Sequence, residues 1–414
     1  MIGENIKQGR FCKIMRIAEG VTYIGVNDKD IDLFEGQYRV DGISYNSYLI
    51  TDEKTAVLDT ADKRRTTEWL EALRGALAGK KPDYLVISHM EPDHSASIGA
   101  FAQSYPEAKL VGNAKTFQML SQYFTFALPE EKKVVVTEGE ELSLGAHTLV
   151  FYTAPMVHWP EVMAAYEKSE RLLFSADGFG KFGALPEDAE GRPVPVYDFD
   201  PQKDWDDEAR RYYLNIVGKY GAQTQALLKK AAGLDIAAIC PLHGPVLTKE
   251  LAHFLEKYRA WSAYEPEKKG VLIAYSTVYG NTEQAARLLS EALTARGVEN
   301  TVTDLARDDT AQALALAFMY DRLVLATTTY DGGIFPAAEE FILHLKAKTY
   351  RNRTVGFIEN GTWAPMAAKL MRAQFEGMKE IAFAEPVVTL KSAVKDDTRE
   401  AIEALAEALA KHGA

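Results

Sequence analysis

The segment LVISHMEPDHSAS, residues 85–97, constrains the fold of this chain more strongly than any other segment. An apolar run typical of a buried strand is followed at once by four side chains that can bind metal: His89, Glu91, Asp93 and His94. Burying two imidazoles and two carboxylates without partners is costly, because each group loses its hydration. A solvated acidic loop is the alternative, although Met90 and Pro92 suit such a loop poorly. The segment therefore predicts a strand whose end delivers several ligands to one point.

Three more polar residues follow apolar runs in the same manner. His158 comes after LVFYT, Asp177 after LLFSA and His243 after AAICPL. Each of the three alone could equally be a hydrogen-bonded core residue. Together, however, they repeat the same pattern, in which a potential metal ligand follows an apolar run. The full set of four histidines and three carboxylates is too large for one zinc ion, which takes about three or four protein ligands. It fits two metals that share a carboxylate, and imidazole with several carboxylates favours iron or manganese.

The apolar pattern changes near residue 248, which predicts two domains. Up to residue 262, short β-like runs alternate with helical spacing, as in an α/β sandwich whose strand-end loops carry the chemistry. The polar, turn-forming EPEKKG predicts a linker at residues 263–269. Five apolar runs with helices between them then predict a doubly wound parallel sheet over 270–414. The five runs are GVLIAYS, NTVTDL, DRLVLATTT, RTVGFIEN and PVVTLKSAV. The predicted domains are thus 1–262 and 270–414, both α/β.

Three loops of the second domain should meet at one edge of its sheet. Ligands of a doubly wound sheet bind at the carboxyl ends of the strands, and the loops after the first, third and fourth strands offer hydroxyl, amide and glycine residues. The first loop precedes a helix N-terminus, where a phosphate is favoured, although by itself it is also compatible with an ordinary helix cap. It is neither GxGxxG nor a Walker loop, which disfavours dinucleotide and ATP binding. The predicted cofactor-binding residues are Ser276, Thr277, Tyr279, Gly280, Asn281, Thr282, Thr328, Thr329, Tyr330, Asp331, Gly332, Asn360, Gly361, Thr362 and Trp363.

The composition excludes several functions. The formal net charge is −12, and no basic stripe suggests nucleic-acid binding. Cys12 and Cys240 are the two cysteines and no CxxC occurs, which excludes a zinc ribbon, a rubredoxin-type or iron–sulfur site and a disulfide framework. No segment has the roughly 18 apolar residues of a membrane span, and the N-terminus lacks an apolar signal core. We therefore expect a cytoplasmic protein without membrane or nucleic-acid partners.

The pattern His-x-Glu-x-Asp-His at 89–94, followed by His158, Asp177 and His243, resembles the flavodiiron proteins of the metallo-β-lactamase-like superfamily. The usual motif of that superfamily has a second histidine where this chain has Glu91. DLFEG, ISYNSYLI, DGFGKFGAL and RRYYLNIVGKYG extend the resemblance along the chain, and the second half resembles flavodoxins, which bind FMN with three such loops. The resemblance implies an N-terminal metallo-β-lactamase-like αββα sandwich and a C-terminal flavodoxin-like FMN domain.

The resemblance also implies roles for individual residues. The implied metal ligands are His89, Glu91 and His158 for one iron, Asp93, His94 and His243 for the other, and Asp177 as the bridge. His94 is a ligand in only some members of the family. Tyr330 and Trp363 would flank the flavin, although Trp363 fits a dimer contact almost as well. A separate hypothesis, without a unique assignment, is that Tyr212 or Tyr213 donates a hydrogen bond to the bound gas.

Flavodiiron proteins reduce dioxygen to water or nitric oxide to nitrous oxide, so the resemblance implies an oxidoreductase with one or both activities. FMN would re-reduce the two non-haem irons within a head-to-tail homodimer or a dimer of dimers, and electrons would arrive from a separate protein such as a rubredoxin. Two alternatives stay open. One is a dinuclear zinc hydrolase fused to a flavodoxin module, against which Glu91 counts. The other is a non-catalytic electron carrier or flavin-binding regulator with a vestigial first domain, against which the complete ligand set counts.

Overall fold

The structure is a computed structural model that describes residues 15–412. These residues form two compact units. Unit 1 contains the chain up to Trp205 together with Ala226–Phe254, and unit 2 contains Asp206–Gln225 together with the chain from Leu255 onward. Each unit has its own hydrophobic core. No helix of the described residues is long and apolar enough to cross a membrane.

Unit 1 is built on two β-sheets that face each other. Its strands are β1 (Met15–Ala18), β2 (Val21–Tyr23), β3 (Val26–Asp28), β4 (Leu33–Phe34), β5 (Tyr38–Arg39), β6 (Ile43–Tyr45), β7 (Tyr48–Thr51), β8 (Thr55–Leu58), β9 (Tyr84–Val86), β10 (Lys109–Gly112), β11 (Lys133–Val135), β12 (Glu141–Ser143), β13 (Thr148–Thr153), β14 (Met163–Glu167), β15 (Leu172–Phe174) and β16 (Ala238–Cys240). Across the part of the chain that the structure describes, one sheet has the order β1-β2-β7-β8-β9-β10-β11 and the other has the order β12-β13-β14-β15-β16. The strands from β8 to β11 run parallel, as do β15 and β16, so several strands end at a common edge.

Helices connect and cover the strands of both units. In chain order they are α1 (Thr66–Leu77), α2 (Pro92–Ser95), α3 (Ile98–Ser104), α4 (Ala114–Tyr123), α5 (Pro201–Asp204), α6 (Asp206–Ile216), α7 (Gly221–Ala231), α8 (Leu251–Ser262), α9 (Asn281–Ala295), α10 (Thr310–Met319), α11 (Pro336–Ala347), α12 (Ala367–Phe375) and α13 (Asp396–His412). Single 3-10 turns lie at Lys63–Arg65, Glu130–Lys132 and Gly218–Tyr220.

The core of unit 1 fills the space between its two sheets. Tyr48 and Ile50 alternate along β7 and enter this core, where the Tyr48 ring packs edge-on against Phe174 of the other sheet at 5.1 Å. Leu49, between them on the outer face, is fully buried as well, because helices cover that face. Cys240 is a buried core thiol. Cys12 lies outside the described residues.

Unit 2 is a parallel sheet between helices. Its strands are β17 (Lys268–Tyr275), β18 (Asn300–Asp304), β19 (Tyr320–Tyr330), β20 (Gly333–Ile334), β21 (Arg353–Asn360), β22 (Ile381–Phe383) and β23 (Val388–Leu390). The order is β18-β17-β19-β21-β22, with β23 parallel to the second half of β21 and β20 antiparallel to β19. Ala285, Leu289 and Leu293 form an apolar stripe of α9 that packs in the core, as their spacing of four residues requires.

A helix from the middle of the chain completes unit 2. α6 packs on α10, although the two helices are far apart in sequence. Arg211 forms an ion pair with Asp309 at 2.6 Å, and the side-chain amide of Asn215 donates to the Ala311 carbonyl at 3.1 Å. α10 is strongly apolar, and α6 therefore covers part of its surface.

The α/β class, the N-terminal sandwich and the C-terminal doubly wound parallel sheet predicted from the sequence are confirmed. The domain limits of 1–262 and 270–414, with a linker at 263–269, stay a prediction. Around that linker, α8 ends at Ser262 and β17 begins at Lys268.

Candidate metal centre and cofactor cavity

Four strand ends of unit 1 carry the predicted metal ligands. β9 ends at Val86, and the turn that follows leads into α2, so four ligands lie on one tight bend. Pro92 occupies the first turn of α2, where its missing N–H is not needed. The ligands are His89, Glu91, Asp93 and His94 after β9, His158 after β13, Asp177 after β15 and His243 after β16.

The first group of ligand atoms surrounds one point. It consists of His89, Glu91, His158 and Asp177, whose ligand atoms all lie within 4.8 Å of one another. Nε2 of His158 lies 2.9 Å from Oε2 of Glu91 and 3.2 Å from Oδ2 of Asp177. Nε2 of His89 lies 3.3 Å from the same Glu91 oxygen and 3.4 Å from the same Asp177 oxygen. Two imidazole nitrogens and two carboxylate oxygens thus point at a common centre.

The second group consists of Asp93, His94 and His243. Nε2 of each histidine lies 3.2 Å from Oδ2 of Asp93, and the two nitrogens lie 3.0 Å apart. Oδ1 of Asp177 faces this group, at 3.3 Å from Nε2 of His94 and 3.8 Å from Nε2 of His243. Asp177 therefore presents one oxygen to each group, which is the arrangement that a carboxylate shared by two metals requires.

Outer hydrogen bonds orient two of the imidazole rings. Nδ1 of His243 donates to the Ser44 carbonyl at 2.7 Å, so its Nε2 keeps the lone pair that a metal needs. Nδ1 of His89 lies 2.8 Å from Oε1 of Glu161, which fixes the same tautomer. Nδ1 of His94 is buried without a hydrogen-bond partner among residues 15–412. The ring of His94 is therefore held through the contacts of its Nε2 with Asp93, Asp177 and His243, whereas the rings of His89 and His243 are also held at Nδ1.

Sequence reasoning missed two buried carboxylates beside the ligands. Glu161 is fully buried, and besides His89 it accepts a hydrogen bond from the Met90 N–H at 2.8 Å. Asp59 accepts from the Ser88 N–H at 2.7 Å and so fixes the strand end, and its burial raises its pKa to about 6. Glu161 stands three residues after a ligand, in HWPEVM, but this spacing belongs to no motif that marks it in a single sequence.

The charges of the site stabilise one another against burial. Burial disfavours the charged form of His94, but the Asp93 and Asp177 carboxylates outweigh this effect and raise its pKa to about 10. The Asp177 and Glu91 carboxylates outweigh burial in the same way at His158 and raise its pKa to about 9. The surrounding imidazoles hold the pKa of Asp177 well below its usual range despite its burial. Protons and metal cations therefore compete for the same nitrogen atoms.

The donor set fits a pair of cations. Both carboxylate oxygens of Asp93 and both of Asp177 are buried and have no hydrogen-bond partner in the described part of the chain. Buried oxygens in this state lose their hydration without replacement, unless a cation takes the place of water. Imidazole nitrogen together with several carboxylate oxygens suits iron or manganese.

A cavity of about 560 Å³ opens in unit 2 at the carboxyl ends of β17, β19 and β21, and its size suits a flavin. All but three of the predicted cofactor-binding residues line it. Of the three exceptions, Ser276 is buried with its hydroxyl 2.6 Å from that of Thr327, Gly280 bends the chain into α9 with a φ of +92°, and Tyr330 is half exposed. Gly280 is a position where a left-handed backbone favours glycine.

Four lining residues lie outside the predicted set: Val278, Ala364, Met366 and Ser392. The backbone of Ser392 is held by Asn360, whose side-chain oxygen accepts from the Ser392 N–H and whose NH₂ donates to the Ser392 carbonyl, both at 3.0 Å. Ser392 follows β23, and the rule that ligands bind at carboxyl strand ends could have found it. Trp363 and Tyr279 on the rim are 82% and 92% exposed, so flat aromatic surfaces border the opening.

Tyr212 and Tyr213 lie on α6 in unit 2, and both are fully buried. The Tyr213 ring packs against Tyr258 at 5.0 Å and against Trp261 at 5.6 Å, and its burial raises its pKa. The predicted role of either tyrosine at the metal centre stays a prediction.

Comparisons with known proteins agree with both halves of this description. Residues 43–244 match the model of the ODP family beta lactamase, and residues 272–384 match the model of a flavodoxin domain. The chain is 29% identical over 385 residues to nitric oxide reductase of Moorella thermoacetica, covering 91% of this chain and 92% of that one. It is 27% identical over 402 residues to rubredoxin-oxygen oxidoreductase of Megalodesulfovibrio gigas, covering 96% of this chain and 97% of that one.

A solved structure extends the likeness to three dimensions. Rubredoxin oxygen:oxidoreductase from Desulfovibrio gigas superimposes with a TM-score of 0.87 at 26% identity, over 97% of this chain and 98% of that chain. A beta-lactamase domain of the ODP family followed by a flavodoxin domain, in a chain whose relatives are named as a reductase and an oxidoreductase, defines a class of two-domain oxidoreductases. Within that class, the chain belongs to the flavodiiron proteins.

Proposed function

We propose that the chain reduces dioxygen to water, nitric oxide to nitrous oxide, or both, at a di-iron site that FMN re-reduces. The observation that carries the proposal is Asp177, whose two oxygens face two separate groups of histidine Nε2 atoms. Glu91 adds a hard oxygen ligand to the first group, which favours iron over zinc. The names of the Moorella and Megalodesulfovibrio relatives support both gases as substrates.

The residues of unit 1 hold and shape this site. A pair of irons, when bound, supplies two electrons and open positions for a small molecule. The proposed ligands are His89, Glu91 and His158 on one side, Asp93, His94 and His243 on the other, and Asp177 between them. Glu161 and the Ser44 carbonyl keep their histidines in the tautomer that leaves Nε2 free to bind metal.

An apolar wall borders the second group. Phe34 is buried, and its ring meets His243 edge-on at 5.4 Å and Phe182 at 5.7 Å. Such a wall excludes water and offers no hydrogen bond to a polar substrate. A small uncharged gas is the class of substrate that suits it.

The cavity of unit 2 supplies the proposed FMN site. The loop before α9 lines it with Thr277, and the first turn of α9 lines it with Asn281 and Thr282, where a phosphate is favoured by the helix N-terminus. Trp363 is exposed on the opposite loop and is proposed to lie beside the flavin ring. The predicted head-to-tail homodimer or dimer of dimers, the separate donor such as a rubredoxin, and the cytoplasmic location belong to this proposal. The name of the Megalodesulfovibrio relative supports the donor, and the scarcity of cysteine supports the location.

Metal and flavin analysis followed by gas consumption tests the proposed function. Purified protein should contain about two irons and one FMN per chain, since one ligand group serves each iron and one cavity serves the flavin. Consumption of dioxygen and of nitric oxide, measured under the same electron supply, then ranks the two gases. Zinc in place of iron, together with hydrolysis, would establish the hydrolase alternative instead. Reduced protein that reoxidises only slowly in either gas would establish a carrier.

Two further experiments test the finer parts of the proposal. Mixing a flavin-site variant with an iron-site variant should restore some activity in heterodimers, and no restoration would argue for electron transfer within one chain.

Replacing both Tyr212 and Tyr213 with Phe should lower turnover with iron content unchanged, and wild-type turnover would remove them from the mechanism.

A further inference from the structure

Glu359 is a buried carboxylate at the carboxyl end of β21, directly before the cavity-lining Asn360. Its Oε2 accepts from the Ala368 N–H at 2.9 Å, and its Oε1 accepts from the Thr389 hydroxyl at 2.9 Å. Both oxygens act as acceptors, which is the behaviour of an ionised carboxylate. Both partners are neutral, and no Lys or Arg among residues 15–412 pairs with it. The charge of Glu359 is therefore hydrogen-bonded but not cancelled by a cation.

The hydrogen bonds of Glu359 fasten the start of α12 to the sheet. The first N–H groups of this helix have two acceptors: Thr329 Oγ1 accepts from Met366 and Ala367 at 2.9 and 3.1 Å, and Glu359 accepts from Ala368. Thr329 and Met366 both line the cavity. The carboxylate thus lies within one helical turn of the cavity wall and holds that wall in place.

A fixed anion at this position acts on any ligand whose charge changes. The N-terminus of a helix carries a partial positive charge, and a carboxylate hydrogen-bonded to it offsets that charge. Reduction of a flavin adds negative charge to its ring. A buried anion near the ring raises the free energy of the reduced form, and the low dielectric of the interior strengthens this repulsion.

We propose that Glu359 is a positioning residue that fixes one wall of the flavin cavity and lowers the reduction potential of the bound flavin. The inference rests on the proposed binding of FMN in unit 2. Glu359 adds to that binding a control over how readily the flavin gives up electrons.

The test is a spectroelectrochemical titration of the full chain loaded with FMN, comparing wild type with Glu359→Gln. The amide keeps both hydrogen bonds, since its oxygen accepts from Ala368 and its NH₂ donates to Thr389, but it removes the charge. We expect the equilibrium against a reference dye to shift at least about tenfold toward reduced flavin, which is roughly 59 mV for a one-electron step. Thr389→Val removes one hydrogen bond and keeps the charge, so the potential should stay at the wild-type value.

Glu376→Gln is the matched control, because Glu376 is an exposed carboxylate at the opposite end of α12. Solvent screens its charge, and we expect a change of less than about twofold. An unmoved potential in Glu359→Gln, an equal shift in Glu376→Gln, or loss of FMN from Glu359→Gln would each overturn the inference. A wild-type chain that takes up no FMN would overturn the proposed function as well, whereas the other outcomes leave that function intact.

Discussion

Two clusters of buried carboxylates, one in each unit, are stabilised in opposite ways. In unit 1, the oxygens of Asp93 and Asp177 are buried beside imidazoles and have no hydrogen-bond partner in the described chain. In unit 2, the buried Glu267 accepts hydrogen bonds from the guanidinium of Arg210 and, at 2.7 Å, from Lys257. The Asp93 and Asp177 oxygens thus remain available to bind a metal, whereas the Glu267 carboxylate is already satisfied by protein cations in a structural ion pair.

The cofactor cavity of unit 2 follows a third pattern. Hydroxyls, amides and backbone groups line it rather than a cluster of charges. Such a site depends on loop shape more than on any one side chain. The five predictions below test this contrast, beginning with the largest expected effect.

Asp177→Ala should remove both irons, because one side chain serves both ligand groups. We expect gas consumption to fall by more than the roughly 100-fold that is the upper end for loss of an outer partner of a ligand. Iron per chain is measured by mass spectrometry and FMN by absorbance, and FMN should be unchanged. Glu167→Gln is the control, since Glu167 is an equally buried carboxylate that accepts from the N–H groups of Ser169 and Glu170. A variant at Asp177 that retains two irons would contradict the bridging role.

Glu267→Gln should destabilise unit 2 and leave the metal centre loaded. The substitution removes one of the two carboxylates that face each cation, since Arg210 keeps Asp207 at 2.7 Å and Lys257 keeps Asp206 at 2.8 Å. The lost charge-assisted hydrogen bonds should lower the unfolding free energy by about 1.5–3 kcal/mol. Urea unfolding followed by flavin fluorescence measures this loss. Glu256→Gln, in an exposed pair with Arg259, should change the unfolding free energy by less than about 1 kcal/mol. Equal stability of the two variants would remove the distinction between the buried and the exposed pair.

The same ion pair predicts a dependence on pH. Burial alone would raise the pKa of Glu267, but Arg210 and Lys257 outweigh burial and lower it to about 2, below the ordinary value of 4.5. Because the folded pKa is the lower one, the stabilisation is complete above pH 4.5 and is lost as the pH falls toward 2. The Gln variant should lack this part of the acid transition.

Glu161→Gln should weaken the first iron more than the second. The amide can still accept from Nδ1 of His89, but the hydrogen bond loses its charge, and we expect iron affinity at that group to fall about 10- to 100-fold. Competition with an iron chelator measures the two affinities in turn. Glu138→Gln, an exposed carboxylate of the same unit that pairs with Lys230, should leave both affinities alone. An equal loss at both irons would show a general effect of charge.

Gly280→Ala should have the smallest effect. A Cβ at Gly280 meets no atom within 4 Å, so the penalty comes from its φ of +92° alone, about 1 kcal/mol. FMN affinity, measured by fluorescence quenching, should fall about fivefold. Gly377→Ala places a methyl in equally open space at a glycine outside the left-handed region, and it should not change FMN affinity. No difference between the two variants would show that the loop adapts.

The convergence of the proposed metal ligands could be predicted because each is a rare residue type near a strand end, and strand ends can be located from apolar runs. Glu161 and Asp59 could not, because a buried carboxylate beside a ligand is defined by its hydrogen bonds and not by spacing. The cofactor loops were placed by the topology of the sheet. Ser392 was missed because the predicted strand PVVTLKSAV includes it, whereas β23 ends at Leu390 and leaves Ser392 in the loop that follows. The packing of α6 on α10 could not be predicted either. The sequence of an amphipathic helix shows which of its faces is apolar but does not identify the distant helix that packs against that face.

That last pairing has a consequence for synthesis on the ribosome. α6 is translated roughly a hundred residues before α10, a delay of about 5–20 s at typical elongation rates. All seven proposed iron ligands have been translated by His243, within that interval, so metal could bind before α6 can pack on α10. Unit 1 of the nascent chain can thus fold and bind metal first, and unit 2 can complete its packing only after α10 has been translated.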